Sequence, residues 1–291
     1  MSTPVISTVL DEAFERMAAS SAFELPNGFV NHGPMGCEAL AAMGLDAEID
    51  QWARRFERVP GPAVVPVAPA RLEWKGAMGN YGLLPEWIGY LEAAIDEHGW
   101  LQVVQTWVPR LSPGLSTKLF HGVIHVAHAV RALTVADTSA RRAELARALG
   151  YWAARHRHGQ PQPANCMDAD DLRAEVVGTA ERAARYYLAA PSILHLHGVT
   201  GAMALELLVD HLPPPAGQAA LAQLTAEHTA LYRGIRPNED VHAGEVSPLE
   251  LARAAAQSGD VHQVKLVEAC QRALEISGSP VFAAAAQVVT G

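Results

Sequence analysis

Apolar residues recur at three- and four-residue spacing through most of the chain, which is the period of an amphipathic α-helix. The Ala-rich segments 140–156 and 170–190 are clear cases. No stretch alternates apolar and polar residues for long enough to build a sheet, and four prolines in 60–74 favour an extended connector there. The pattern predicts a single all-α domain over residues 1–291, with about ten or more helices.

Glycine, proline and polar capping residues mark the boundaries between the predicted helices. Pro34 stands near the start of one helix, and Gly44 closes it. The Pro- and Gly-rich segments 212–217 and 236–248 are typical of loops. Asp260 precedes the segment "VHQVKLVEACQRAL", where it is expected to cap the first turn of a helix.

Composition places the chain among globular proteins and narrows its partners. Of its 291 residues 49% are apolar, and the 22 Lys and Arg against 31 Asp and Glu leave a net charge of −9. No basic run is interleaved with aromatic residues, which argues against a nucleic-acid partner. The first 17 residues lack the pattern of a secretory signal, and no later window resembles the roughly 20 apolar residues of a membrane span. We therefore expect a soluble, cytoplasmic protein.

The three cysteines are isolated. Cys37, Cys166 and Cys270 form no CxxC pair and are odd in number, which argues against both a disulfide framework and a thiolate zinc site. Any metal site in this chain has to rest on other side chains.

Histidines interrupt one apolar segment, "FHGVIHVAHAVRAL" at 120–133. On a helix His121, His125 and His128 lie on one face, because each residue advances about 100°. Burying several imidazoles together is costly unless they share partners, and one divalent cation would engage two or three of them. A polar network of carboxylates or water is the alternative.

Three other segments offer further metal ligands. His32 precedes a predicted helix, where the positive end of the helix dipole keeps an imidazole neutral. His195 and His197 are two residues apart, so only one of them is expected to face a site. His262 lies in the first turn of the helix that Asp260 would cap.

Lys265 is informative because the chain has only three lysines among its 22 basic residues. It follows His262 at i+3, on the same helix face. Carbon dioxide converts a neutral lysine amine to a carbamate, an anionic oxygen ligand that arginine cannot form. The alternatives are that Lys265 is an exposed surface residue, or that Lys118, one turn before His121, takes this role.

The segment 74–107 gathers four of the six tryptophans behind a Gly-rich opening. We expect Trp74, Tyr81 and Trp87 to bind a flat, hydrophobic substrate. The alternative is that these aromatic side chains only fill the core.

Motifs of several common enzyme classes are missing. There is no GxGxxG after a strand, no HExxH and no GxSxG. A single Glu-x-x-His pair, Glu239 to His242, lies in a predicted loop and does not supply a di-iron site. With these motifs absent, the candidate metal site is a mononuclear, His-rich centre.

The other histidines are expected at surface or loop positions: His98, His156, His158, His211, His228 and His242.

Four segments occur in the order of the motifs of the questin oxidase-like family, and the chain resembles this family from about residue 30 to 275. They are "NHGPMGCEALAAMG", "FHGVIHVAHAVRAL", "HLHGVTGAMAL" and "DVHQVKLVEA". The resemblance implies an oxygenase that cleaves a ring of an anthraquinone-type substrate. It implies either NADPH-linked Baeyer–Villiger oxidation or non-haem iron chemistry with a carboxylated lysine.

The motifs of the questin oxidase-like family contain several histidines and one lysine, and each of these matches a residue of this sequence. The implied metal ligands are His32, His121, His128, His197, His262 and Lys265. His121 and Lys265 are the expected catalytic residues, Fe(II) the expected metal and O₂ the co-substrate, while NADPH is a possible cofactor. His125 departs from the family pattern, which has an Arg there in many members. At least one implied ligand has to lie outside the coordination shell, since six would leave no open position on an octahedral ion.

Other functional hypotheses use some of the same residues. A redox-inactive zinc protein would use the histidines without oxygen chemistry. A non-catalytic binder of planar molecules would need the aromatic segment alone. An NADPH-dependent monooxygenase would consume reduced nicotinamide.

Overall fold

The computed structural model describes residues 8–25, 28–58, 61–68, 71–157, 159, 162 and 169–290. These residues form fourteen α-helices: α1 Thr8–Ser20, α2 Gly33–Ala42, α3 Asp46–Phe56, α4 Trp74–Ala77, α5 Leu84–His98, α6 Trp100–Leu111, α7 His121–Val135, α8 Ser139–Arg155, α9 Ala169–Ala189, α10 Ile193–Leu208, α11 Pro214–Leu231, α12 Pro248–Ser258, α13 Val261–Ser277 and α14 Pro280–Thr290. Short 3₁₀ turns occupy Tyr81–Leu83, Ser112–Gly114 and Val209–His211.

The prediction of an all-α fold is confirmed. The described part of the chain contains no strand, and the only extended pairing in it is one isolated bridge between Glu24 and Val30. The proline-rich connector is neither helix nor strand over 61–68 and 71–73, as predicted. Residues 60, 69 and 70 of that region lie outside the described residues.

Helix boundaries follow the residues that the sequence offers for them. Pro34 occupies the first turn of α2, and Gly44 adopts φ +72 just after its end, a conformation that glycine reaches without steric cost. Asp260 caps α13 by accepting a hydrogen bond from the backbone N–H of His262 at 2.9 Å. Ser247 completes a reciprocal capping box with Glu250 at the start of α12.

Helices α7, α10 and α13 form the centre of the molecule. Helix α10 packs against α9, α7 and α13, while α2 packs against α7 and α13. Most side chains of α7 and α10 are buried, so these helices are apolar on nearly all sides. Helices α2, α7 and α13 all begin at the same place in the fold, and this is where the candidate site lies.

One apolar helix among the described residues, Ile193–His211, is long enough to cross a membrane by length and composition. Most of it is buried against the neighbouring helices, which is equally typical of the core helix of a globular protein.

Candidate metal centre

Four histidines from four helices converge in the interior. Each of His32, His121, His197 and His262 offers one ring nitrogen, and these atoms all lie within 4.8 Å of one another. Three of the rings are buried, and His262 is partly exposed. His32 is the N-cap of α2, and His121 is the first residue of α7. The histidines thus come from positions that are distant in sequence.

The hydrogen bonds of three rings determine which nitrogen faces the centre. Nδ1 of His121 donates to the carbonyl oxygen of Lys118, and Nδ1 of His197 donates to that of Ile193 at 2.6 Å. Because a carbonyl oxygen only accepts, both Nδ1 atoms carry the proton. Nδ1 of His262 donates to the carboxylate of Asp260 at 3.0 Å. In each ring the Nε2 atom is left as an acceptor.

The converging Nε2 atoms are arranged so that they could share one cation. Those of His121 and His197 are 3.1 Å apart, and that of His32 is also in contact with His121. Two acceptor nitrogens cannot form a hydrogen bond with each other, so this contact is repulsive unless a proton or a metal cation lies between the two lone pairs. The lowered pKa values of His121 and His197 disfavour the proton. Metal–nitrogen bonds of about 2.1 Å place neighbouring ligand nitrogens roughly 3 to 3.4 Å apart. The observed separation fits two ligands of one ion.

Lys265 lies on the same side of α13 as His262. Its side chain is only 1% exposed, and no atom of the described residues accepts a hydrogen bond from its Nζ. Burial lowers the pKa of Lys265 to about 7, although the carboxylate of Asp260 opposes this shift. A fully buried amine without a partner is costly, which indicates that the site has a further component.

The four imidazoles are held in their neutral, metal-binding form. Burial lowers the pKa of His32 and His121 well below the usual 6.5 and that of His197 to about 3, and the nearby Lys265 ammonium lowers all three further. The positive ends of the α2, α7 and α13 dipoles act in the same direction. This environment disfavours protonated rings and favours an anionic group beside any bound cation.

Backbone strain precedes His121. Lys118, Leu119 and Phe120 adopt φ values of 53, 56 and 64, in the left-handed region that costs L-residues roughly 1–2 kcal/mol each. This turn brings the Lys118 carbonyl to Nδ1 of His121. Strain of this kind persists where the surrounding structure holds it, and it is concentrated at functional sites.

His125 and His128 lie apart from the four histidines. His128 contacts Glu38 at 2.5 Å, and His125 contacts Glu144. The face that these residues share with His121 extends along α7, and a rise of about 1.5 Å per residue places His128 roughly 10 Å further along the helix. The predicted metal ligand His128 is therefore not brought to the centre.

Sequence reasoning missed a buried network of charges two to three helical turns from the centre. Arg131 pairs with Glu38 and Glu268, and Arg272 bonds Glu268 at 3.0 Å. All of these side chains are largely buried. The only sequence signal was a charged residue inside each of several apolar helices, and this signal does not identify the partners.

The structure also decides the predictions made for His195, for Lys118 and for the remaining histidines. Only one of the pair His195 and His197 faces the centre, as predicted, since His195 donates to Ala190 instead. Lys118 contacts Glu24 and the Gly28 carbonyl, so it is not the lysine of the site. The prediction of a surface or loop position is wrong for His228, which is buried within α11. His156 is also buried, but it follows the end of α8 in a loop position, as predicted. His158 lies outside the described residues.

The predicted substrate-binding aromatic residues pack mainly against other side chains. Trp87 is completely buried and donates to the Ala77 carbonyl at 3.2 Å. Trp87 and Trp74 both contact Trp107 edge-on, at 5.3 and 5.5 Å between ring centroids. The guanidinium of Arg155 covers Tyr81 at 3.6 Å. Trp87 has no open face for a ligand, and a binding role for Trp74 and Tyr81 stays a prediction.

No model of a known protein family matches this chain, and no curated protein matches it either.

Proposed function

We propose that this protein is a metal-dependent oxygenase with a mononuclear non-haem iron centre, and that it cleaves a ring of a polycyclic phenolic substrate. The proposed ligands are His32, His121, His197, His262 and Lys265. The observation that carries the metal assignment is the 3.1 Å contact between two acceptor nitrogens, those of His121 and His197. His128 is left out because its ring is engaged by Glu38.

The choice of iron rests on the chemistry that the family resemblance implies. Imidazole ligands alone suit iron, zinc, copper and nickel, and the thiols are not available, since the described Cys37 and Cys270 are absent from the cluster. A bound iron would supply the activation of dioxygen that oxidation of an electron-rich ring needs. The donor set fits this metal without selecting it over the others.

Lys265 would contribute as a carbamate. Its neutral amine attacks carbon dioxide, which forms the N–C bond and releases one proton to give –NH–COO⁻. Three features support this step: complete burial, a pKa lowered to about 7, and an Nζ without a hydrogen-bond acceptor. The product would place a negative charge beside three helix N-termini and a cation, where no carboxylate belongs to the four-histidine cluster.

The surrounding residues hold the ligand rings in one orientation. The carbonyls of Lys118 and Ile193 and the carboxylate of Asp260 each fix the tautomer of one histidine, so that Nε2 faces the centre. Water is excluded from most sides because His32, His121 and His197 are buried. His262 is the most exposed ligand, and a substrate is expected to approach beside it.

The direct test is metal analysis of protein purified without added metal, together with anaerobic titration by Fe(II). We expect one iron per chain in the wild type and none in His121→Ala or Lys265→Ala, both with unchanged helical circular dichroism. Oxygen consumption with a hydroxyanthraquinone would then support the oxygenase. Stoichiometric iron in both folded variants would refute the site.

The same preparation separates the other functions. Zinc as the bound metal, without oxygen uptake, would indicate a redox-inactive metalloprotein. Consumption of NADPH with the substrate would indicate a nicotinamide-dependent monooxygenase. Substrate binding that survives loss of all four histidines would indicate a simple binding protein.

A further inference from the structure

A cavity lies between α9 and α11, apart from the four histidines. Its volume is about 260 Å³, and its lining includes Thr179, Arg182, Tyr186, Thr225, His228 and Thr229. Cavities for drug-sized ligands measure about 300–1,000 Å³. A cavity just below this range suits a smaller organic molecule.

Arg182 gives this cavity an uncompensated positive charge. Its guanidinium donates to Oγ1 of Thr179 at 2.8 Å, and no carboxylate of the described residues forms an ion pair with it. One turn further on α9, Arg185 differs, because it pairs with Glu181 at 3.0 Å and Glu239 at 3.4 Å. The free N–H groups of Arg182 match a carboxylate or another oxyanion.

His228 supplies an acceptor in the same cavity wall. The ring donates to the backbone carbonyl of Gly198, and its Nε2 atom is buried and has no hydrogen-bond partner among the described residues. Nδ1 is therefore the donor, and Nε2 carries a lone pair. Burial, with a contribution from the Arg182 charge, lowers the pKa of His228 to about 4, which keeps this ring neutral.

The threonine hydroxyls complete the acceptor side. Oγ1 of Thr225 donates to the Leu221 carbonyl at 2.9 Å, and Oγ1 of Thr229 donates to the Thr225 carbonyl at 2.8 Å. Each hydroxyl has thus used its proton within α11 and offers lone pairs to an occupant. An occupant that matches this wall has to donate at least one hydrogen bond.

We propose that this cavity binds a small hydroxylated carboxylic acid, with the carboxylate on Arg182 and the hydroxyl donating to Nε2 of His228. A simple carboxylate satisfies the arginine and leaves the histidine without a partner. An uncharged alcohol satisfies the histidine and leaves the arginine without a partner. The aromatic rings of Tyr186 and Tyr232 also line the cavity, which favours a hydroxybenzoate over an aliphatic hydroxy acid. This site does not depend on the proposed oxygenase function.

The test uses isothermal titration calorimetry of the full chain with the three hydroxybenzoate isomers, benzoate and inorganic phosphate. We expect at least one hydroxybenzoate to bind with a clearly lower Kd than benzoate. Arg182→Gln should weaken this binding by about tenfold or more, since it removes a charge-assisted hydrogen bond. Arg185→Gln, on the same helix, is the matched control and should leave the Kd unchanged.

His228→Asn separates the role of the acceptor from that of the charge. The Asn amide keeps a donor near the position of Nδ1 for the Gly198 carbonyl and removes Nε2. It should reduce hydroxybenzoate affinity to that of benzoate and leave benzoate binding unchanged. Arg182 is exposed, so its variant keeps the proposal testable even if His228→Asn does not fold.

Four results would overturn the proposal. The first two are the absence of saturable hydroxybenzoate binding at millimolar concentration and equal losses in Arg182→Gln and Arg185→Gln. The others are equal affinity for benzoate and every hydroxybenzoate, and tighter binding of phosphate than of any hydroxybenzoate.

Discussion

Nδ1 of His121 donates a hydrogen bond to the carbonyl oxygen of Lys118, three residues earlier in the chain. This contact exists because Lys118, Leu119 and Phe120 form a left-handed turn that ends where α7 begins. The backbone conformations of this turn are unfavourable, but they place the Lys118 carbonyl so that it fixes the tautomer and the orientation of the His121 ring.

The strain can be measured at Leu119. We expect Leu119→Gly to be more stable than Leu119→Ala by about 1 kcal/mol, since only glycine avoids the clash of Cβ in the left-handed region. Both variants lose the Leu side chain, so urea denaturation isolates the backbone term. Leu101 in α6 is the control: there Gly should be less stable than Ala by about 1 kcal/mol. The same order of stability at both positions would contradict this account.

Metal binding should distinguish His197 from His128. Fe(II) or Zn(II) at a thousand times its Kd is expected to stabilise the wild type by about 4 kcal/mol, and this gain should vanish in His197→Ala. His128→Gln should lose stability through its contact with Glu38 and still show the metal-dependent gain. Thermal unfolding with and without metal measures both. A His128→Gln protein that no longer responds to metal would place His128 in the coordination shell.

Asp260 should tune the affinity for metal through His262. Its carboxylate accepts from both the backbone N–H and Nδ1 of His262, at 2.9 and 3.0 Å. Asn is an equally good helix cap, so Asp260→Asn should retain the stability of α13 while metal affinity falls about tenfold, the lower end of effects for such positioning residues. Competition with a chelator gives the Kd. Ser247→Ala, which removes a cap from α12, should lower stability and leave the Kd unchanged.

Lys265 should make the metal-free protein more stable as pH rises from 7 to 10.5. Between the folded pKa of about 7 and the ordinary value of 10.5, the unfolded chain binds a proton that the folded chain lacks, so unfolding becomes less favourable with increasing pH. Lys265→Met should remove this rise and gain a few kcal/mol at pH 7.

Urea unfolding in carbonate-free buffer at several pH values measures this effect. The control is Lys75→Met, because Lys75 is exposed and its substitution should leave the pH profile unchanged. If wild type and Lys265→Met have parallel profiles, the amine is not buried in the folded state.

The helical fold was accessible from the sequence because helix periodicity, caps and helix-ending glycines are local signals. The residues of the candidate site could be predicted from the sequence only in part. Helical phase places His121, His125 and His128 on one face, but it does not say which of them meets which neighbour. The structure gives each a different partner, since tertiary packing of α2, α8 and α10 decides this.

The convergence of His32, His197 and His262 is a long-range property that no local pattern determines. Their positions near predicted helix starts made them candidate ligands and the family resemblance selected among them, whereas neither signal shows that the three side chains meet in space. Trp87 was predicted from the sequence to bind substrate, but its side chain is fully buried and hydrogen-bonded in the core. Large aromatic side chains fill cores and line pockets alike.

The candidate ligand atoms come from residues 32 to 262, and each pair is separated by at least 65 positions, as from His197 to His262. Closing loops of this length costs chain entropy before any ligand meets another. A fragment that carries only one or two of these segments therefore has no preformed coordination sphere. The four rings meet only where the helices that carry them pack together, so a short peptide cut from the chain would not reproduce their arrangement.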